Sequence, residues 1–207
     1  MLKIYGAHTF NAAKVVMTAE ELGMAYEYIE LDFSKGEHKS PEHLQRHPLG
    51  KVPVIEHRGQ FIFESNVICK YLAAAQQASL YPDNLSLRVI VDEWIDLMAH
   101  HTGRWLGTCY FQEYVRKVIF NQSPEQGALE EAKGFLETQL PVIDSHLSEK
   151  KYIAGDVYTV ADIIAFCFFQ THEKTSVEID GFANISRWYA DINQRPSVEA
   201  TRKHVAT

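Results

Sequence analysis

The 207-residue chain has only three cysteines, Cys69, Cys109 and Cys167, far apart and without a Cys-x-x-Cys pair. That spacing fits neither a disulfide framework nor a zinc site, and reduced thiols are expected. Positive charge is also short. Twenty Lys and Arg against 27 Asp and Glu leave a net charge of −7, so no global field draws the surface toward nucleic acid or anionic lipid. The longest strongly apolar run, Ile163 to Phe169, is too short to span a bilayer. The chain opens on strand-like Leu2-Lys3-Ile4-Tyr5 instead of a signal peptide. The expectation is a cytoplasmic protein with no membrane and no nucleic-acid partner. Neither G-x-G-x-x-G nor G-x-x-x-x-G-K-[ST] occurs, so nucleotide binding has no support. His100-His101 and His43/His47 lack the further ligands a metal centre needs, and no metal is expected.

What is present is the composition of a folded globular chain, 46% hydrophobic and 23% charged. Leu2 to Tyr5 reads as a strand, and Ala12, Val15, Val16, Ala19 and Leu22 mark one face of a helix that Gly23 ends. Tyr26 to Leu31 is a second strand, giving a βαβ unit with a right-handed crossover onto a parallel neighbour. Residues 34–50, rich in His, Lys, Pro and Gly, form a mostly irregular candidate binding loop with one short helix at Pro41 to Arg46. Val52 to Ile55, a turn at His57-Arg58-Gly59 and Phe61 to Phe63 make a hairpin, in which Pro53 is awkward for a central strand. From Ser65 the spacing predicts a helix through Val67, Ile68, Tyr71 and Leu72, with Ser65 placed to cap it. The first domain is expected over 1–76.

Residues 77–86, containing Pro82-Asp83-Asn84, read as a linker, and 87–207 as an all-helical domain. Leu87, Val91, Trp94, Ile95 and Met98 form one apolar stripe. Leu129, Ala132, Leu136, Leu140, Ile143 and Leu147 form another, which Pro141 should kink. Thr159-x-x-Asp162 is a capping box, stapled by Tyr158 and Ile163, and opens the buried helix of the domain; both residues are assigned to folding alone. A last helix runs from about Phe182 to Arg195, stopped by Pro196. Cys69 and Cys167 sit on apolar helical faces as small buried hydrophobes.

An open α/β sheet binds ligands beyond the carboxyl ends of its strands, and a helix N-terminus there offers N–H groups to an anion. Three segments meet that description: His8-Thr9-Phe10-Asn11, Lys51-Val52-Pro53 and Glu64-Ser65. They supply hydroxyls, a cation, a carboxylate and strand-edge backbone. That set suits a small peptide with its own amine and carboxylates better than a nucleotide. Read alone, Glu64-Ser65 is an N-cap with a neighbouring acid, and His38-Lys39 is a solvated loop. Proximity to Val52-Pro53 favours a ligand site at Glu64-Ser65, and the whole set of motifs that follows does so at His38-Lys39.

The stretches Glu37-His38-Lys39-Ser40-Pro41-Glu42-His43-Leu44, Leu49-Gly50-Lys51-Val52-Pro53 and Phe63-Glu64-Ser65 with Ile68-Cys69-Lys70-Tyr71 closely resemble glutathione transferases of the plant phi class. The resemblance continues through Tyr152-Ile153-Ala154-Gly155-Asp156, Thr159-x-x-Asp162 and Arg195-Pro196-Ser197. It implies a thioredoxin-like βαβ-ββα domain followed by an all-helical domain, the same α/β plus all-α order as above. It further implies an enzyme that activates the thiol of bound glutathione against apolar electrophiles, as in detoxification, and a homodimer. Glutathione would be the co-substrate.

Carried over residue by residue, the resemblance gives Glu64 the amine and Ser65 the α-carboxylate of the γ-glutamyl end. His38 and Lys39 fall near the glycine carboxylate, and Lys51, often Gln in the family, adds charge there. A cis peptide before Pro53 would turn the Val52 backbone toward the cysteinyl part. Thr9 takes the place of the family serine as the hydroxyl that donates to the thiolate, in a loop one residue shorter than the family pattern. Tyr5 is the rival hydroxyl, with a structural aromatic as its commoner reading. No cysteine occupies the thiol-disulfide position, which disfavours glutaredoxin-like chemistry. His8, Phe10, Phe33, Phe111 and Val115 fall at positions that would line an apolar electrophile cleft, although Phe111 and Val115 belong to an aromatic stripe that fits plain core equally well. Two further readings stay open: glutathione-dependent reduction of hydroperoxides, and a ligand carrier without chemistry.

Overall fold

The computed structural model describes residues 1–77 and 79–205. Ala78, in the expected linker, and Ala206 and Thr207, at the end of the expected helical domain, lie outside the described residues. The chain divides into two compact units, one made of Met1–Leu85 together with the segment from Arg195 onward, the other of Ser86–Gln194.

The first unit is built on a sheet of order β2-β1-β3-β4. Strand β1 (Leu2–Gly6) leads into α1 (Phe10–Glu21), which returns to β2 (Tyr26–Glu30), parallel to β1. Every residue of α1 from Ala12 to Ala19 is buried, and Gly23 leaves the helix in the left-handed region, at φ +61°. The 34–50 stretch holds a 3₁₀ turn at Glu37–Lys39 besides α2 (Pro41–Arg46). Strand β3 (Val54–His57) pairs antiparallel with β1 and with β4 (Gln60–Phe63). Arg58 and Gly59 both have positive φ, as a two-residue hairpin turn requires.

Two sequence expectations change here. The third strand begins at Val54 and not at Val52, because Pro53 has no N–H for the ladder of a central strand. In α3 (Ser65–Ala75) the N-cap is Glu64, and Ser65 is already the first helical residue, so Ser65 does not cap it.

The second unit is helical. It contains α4 (Leu85–His100) from its second residue on, α5 (Thr102–Tyr110), a π-helical segment (Phe111–Ile119), α6 (Gln126–Glu149), α7 (Val160–Phe169) and α8 (Ala183–Asn193). Val91, Ile95 and Met98 are buried, whereas Leu87 is 56% exposed, one turn before the buried stretch begins. All ten residues of α7 are buried. At its start Asp162 accepts from the backbone N–H of Thr159 at 2.9 Å and of Ile153 at 2.8 Å, and from Trp188 Nε1 at 3.0 Å. Burial raises the Asp162 carboxyl to about 6, against the pull of these donors.

Pro196 ends the α8 run but does not end the helices. It occupies the first turn of α9 (Pro196–His204), where its missing N–H costs nothing. Helix α9 belongs to the first unit: Arg195 donates twice to the Glu21 carboxylate of α1, at 2.6 and 2.7 Å, and the Ser197 hydroxyl donates to the same group.

Candidate active site

The sheet register gathers most of the residues of interest. Glu30 lies opposite Gly6, and Val54 lies opposite both Tyr5 and Phe63. The ends of β1, β2 and β4 and the start of β3 therefore share one edge of the sheet. From that edge leave the loops carrying His8-Thr9, Phe33, Val52-Pro53 and Glu64-Ser65.

Thr9 is the N-cap of α1, in extended conformation, and its Oγ1 accepts from the Ala12 N–H at 3.2 Å. A hydroxyl has two lone pairs and one proton, so this cap fixes the oxygen and leaves the O–H able to donate. Tyr5, the rival, is 6% exposed and donates to Glu56 Oε2 at 3.2 Å, and burial raises its phenol above the usual value. It is engaged inside the sheet, beneath the Arg46 guanidinium, 4.3 Å from its ring.

Glu64 holds φ +68° and ψ 110°, an unusual conformation for a residue with a Cβ, and no side chain caps α3. Among the described residues no side chain is seen to accept from the first N–H groups of that helix. Ser65 is 9% exposed and donates from Oγ to Asn11 Oδ1 at 3.3 Å, tying the first turn of α3 to that of α1.

The basic loop is tied to the same edge. Lys39 Nζ donates to Leu49 O at 2.8 Å, which leaves further ammonium hydrogens for an anion. Gly50, at φ +58°, lies where a Cβ would come within 2.4 Å of His38 O, so only glycine lets the two segments approach. His43, fully buried, donates from Nε2 to Lys51 O at 2.8 Å and so holds the residue before Val52. Burial lowers the His38 ring below the usual imidazole value, with Lys39 next in effect. The Val52–Pro53 peptide is cis.

A family model described as the glutathione S-transferase N-terminal domain matches residues 1–74, and one for the C-terminal domain matches residues 105–196. The chain belongs to the glutathione S-transferase family. It is 34% identical over 202 residues to "Probable glutathione S-transferase GSTF2" of Oryza sativa subsp. japonica, covering 95% of this chain and 93% of the relative. It is similar to the solved structure of a glutathione S-transferase-I bound with the ligand lactoylglutathione, with TM-score 0.91 and 30% identity over 99% of each chain. Similar too is glutathione S-transferase I from mais in complex with an atrazine glutathione conjugate, with TM-score 0.91 and 30% identity over 99% of this chain and 98% of that one. The plant phi-class resemblance and the thioredoxin-like βαβ-ββα domain followed by helices are both as expected from the motifs.

In this glutathione S-transferase His8 is exposed, with Nε2 3.0 Å from Glu30 Oε1. Phe10 is the first residue of α1, its ring 5.4 Å from Lys14 Nζ. Phe33 is 47% exposed, with its ring 4.4 Å from that of His38. Phe111, 44% exposed, and Val115 lie in the π-helical segment of the second unit. All three cysteines are buried; burial pushes the Cys69 and Cys109 thiols up to about 11, which makes them poor nucleophiles.

Sequence reasoning missed Lys14 and the roles of Asn11 and His43. A signal for Lys14 existed: it is the one cation within Ala12-Ala13-Lys14-Val15-Val16-Met17, a run apolar on all sides, and a helix apolar all round is buried. Among the described residues no helix is long and apolar enough to cross a membrane, and no group of three or more His, Cys, Asp or Glu could hold a metal ion.

Proposed function

We propose that this glutathione transferase binds the tripeptide along the sheet edge described above and ionises its thiol with the Thr9 hydroxyl. One observation carries the reading: the register brings the loops of Thr9, Val52-Pro53 and Glu64-Ser65 to a single edge. The Glu64 carboxylate takes the γ-glutamyl amine, and Ser65 with the open N-terminus of α3 takes the α-carboxylate. Val52 offers its backbone to the cysteinyl residue in strand fashion. Lys39 and Lys51 supply charge to the glycine carboxylate, beside the His38 ring.

The thiol proton passes to solvent, and Thr9 donates to the thiolate that forms; this donation, close to the N-terminus of α1, favours the ionised sulfur. The thiolate then forms a carbon–sulfur bond with an apolar electrophile, whose leaving group departs with the electron pair. The electrophile roles go to His8, Phe10, Phe33, Phe111 and Val115. With every protein cysteine buried, hydroperoxide reduction runs through glutathione itself: the thiolate of one molecule attacks the terminal peroxide oxygen, the O–O bond breaks to release the alcohol and leave the sulfenic acid, and a second thiol displaces water to give the disulfide. Such chemistry fits detoxification in the cytoplasm.

A homodimer is part of the proposal. The first unit exposes Phe61, Phe63 and Val67, and the second exposes Leu87, Val89 and Ile90, apolar area that a second copy would cover. Sedimentation analysis reads the result directly, and a monomer at micromolar concentration removes the dimer.

Turnover of chlorodinitrobenzene with glutathione tests the core reading. Thr9→Ala should lose about a hundredfold in kcat/KM, as for other single donors to a developing anion, while Thr9→Ser keeps most of it. Equal rates for Thr9→Ala and the wild type remove Thr9 from the mechanism; an inactive wild type removes the reading.

A further inference from the structure

We propose that Lys14 is a positioning residue for glutathione recognition: it holds Asn11 so that the Ser65 hydroxyl can transfer its single proton from Asn11 to the α-carboxylate of the ligand. The inference rests on the assignment of Ser65 to that carboxylate.

Lys14 is 1% exposed, in the middle of α1. Its Nζ donates to Asn11 Oδ1 at 2.8 Å and reaches Asn66 Oδ1 at 3.4 Å, a long contact. Asn11 and Asn66 belong to the first turns of α1 and α3, so one buried cation links the two helix ends at the sheet edge. An ammonium only donates, which fixes the Asn11 amide with its oxygen inward. The same oxygen accepts from Ser65 Oγ at 3.3 Å.

A serine hydroxyl has one proton, and while Asn11 receives it no carboxylate can. When Ser65 turns its proton to the ligand, Asn11 Oδ1 loses one of two donors. Lys14 remains on it, so no acceptor is stranded and the exchange avoids the penalty of an unmade hydrogen bond. The ammonium also adds its positive charge to that of both helix N-termini, on the side where an anion is bound.

The test compares glutathione with an analogue lacking the γ-glutamyl α-carboxylate, in the wild type, Lys14→Met and Lys14→Arg. Lys14→Met should raise KM for glutathione about tenfold, with a smaller change in kcat, as expected for a lost charge-assisted contact. Lys14→Arg should stay within about threefold of the wild type. With the analogue, wild type and Lys14→Met should have matching KM values. A second variant, Asn11→Asp, keeps the Lys14 partner yet holds the Ser65 proton more strongly; it should raise KM for glutathione at least about tenfold and leave the analogue unaffected.

Equal KM increases for both ligands, no increase for either, or failure of Arg to substitute would overturn the proposal while the wild type still turns over glutathione. A wild type without glutathione turnover overturns the underlying reading and this inference with it. If Lys14→Met does not fold, the Asn11→Asp comparison alone decides.

Discussion

The starts of α7 and α3 are built from the same two kinds of residue, a hydroxyl and an acid, and come out opposite in character. At α7 the hydroxyl comes first. Thr159 caps the helix, and Asp162, three residues on, reaches back to the Thr159 N–H while also accepting from Ile153 and Trp188. At α3 the acid comes first: Glu64 is exposed in a positive-φ conformation, and no side chain closes the helix. Order along the chain decides the difference, because only an acid at the third helical position can reach back to the cap. The closed end anchors a fully buried helix, and the open end leaves N–H groups for an anion. The start of α1 stands between them, closed by Thr9 through one bond and still able to donate one proton.

Breaking the closed end carries the largest expected effect. Asp162→Ala strips the acceptor from three N–H donors inside the second unit, and urea unfolding should show a loss of about 4 kcal/mol. The activity per folded molecule should not change, which separates this end from the site.

At the open end, stability and function should move in opposite directions. Glu64→Gly relieves the positive φ and should leave stability equal or higher by up to about 1 kcal/mol. KM for glutathione should rise about thirtyfold with the loss of the amine's partner. If Glu64→Gly and Glu64→Ala are equally destabilised in thermal unfolding, the backbone is not strained there and the contrast fails.

A further effect is a pH dependence. Burial raises the folded-state carboxyl of Asp162 to about 6, above its ordinary value of 3.8. Between those values the folded state holds the proton more tightly than the unfolded one, so this group's contribution to stability falls as pH rises through the window and is flat above it. Asp162→Asn removes the titration. Its destabilisation relative to the wild type should therefore be larger at pH 4 than at pH 7.5, as read from urea midpoints at the two pH values. The reverse order would show that the hydrogen bonds, and not burial, dominate the carboxyl.

Much of this was legible along the chain. The α2 range, the six-residue stripe of α6 and the Thr159–Asp162 box depend on neighbours a few residues away, and each emerged as read. Local signals failed where partners were distant. Ser65 looked like a cap by composition, but its hydroxyl goes to Asn11, 54 positions away. Pro196 looked like a stop, yet the Glu21 carboxylate receives Arg195 across 174 positions and a further helix follows. Leu87 carried the right spacing and stayed exposed, since spacing marks a face without saying how far its cover extends.

By itself the sequence determined the kinds and order of the elements, the closed start of α7 and the family, because capping, periodicity and contiguous motifs are properties of short stretches of chain. Only the tertiary structure decided that four loops leave one edge of the sheet, that Glu64 sits at positive φ and that Lys14 is buried between two helix ends. Those features follow from strand register and long-range packing, in which partners such as Tyr5 and Val54, or Lys14 and Asn66, lie far apart along the chain, beyond the reach of any local pattern.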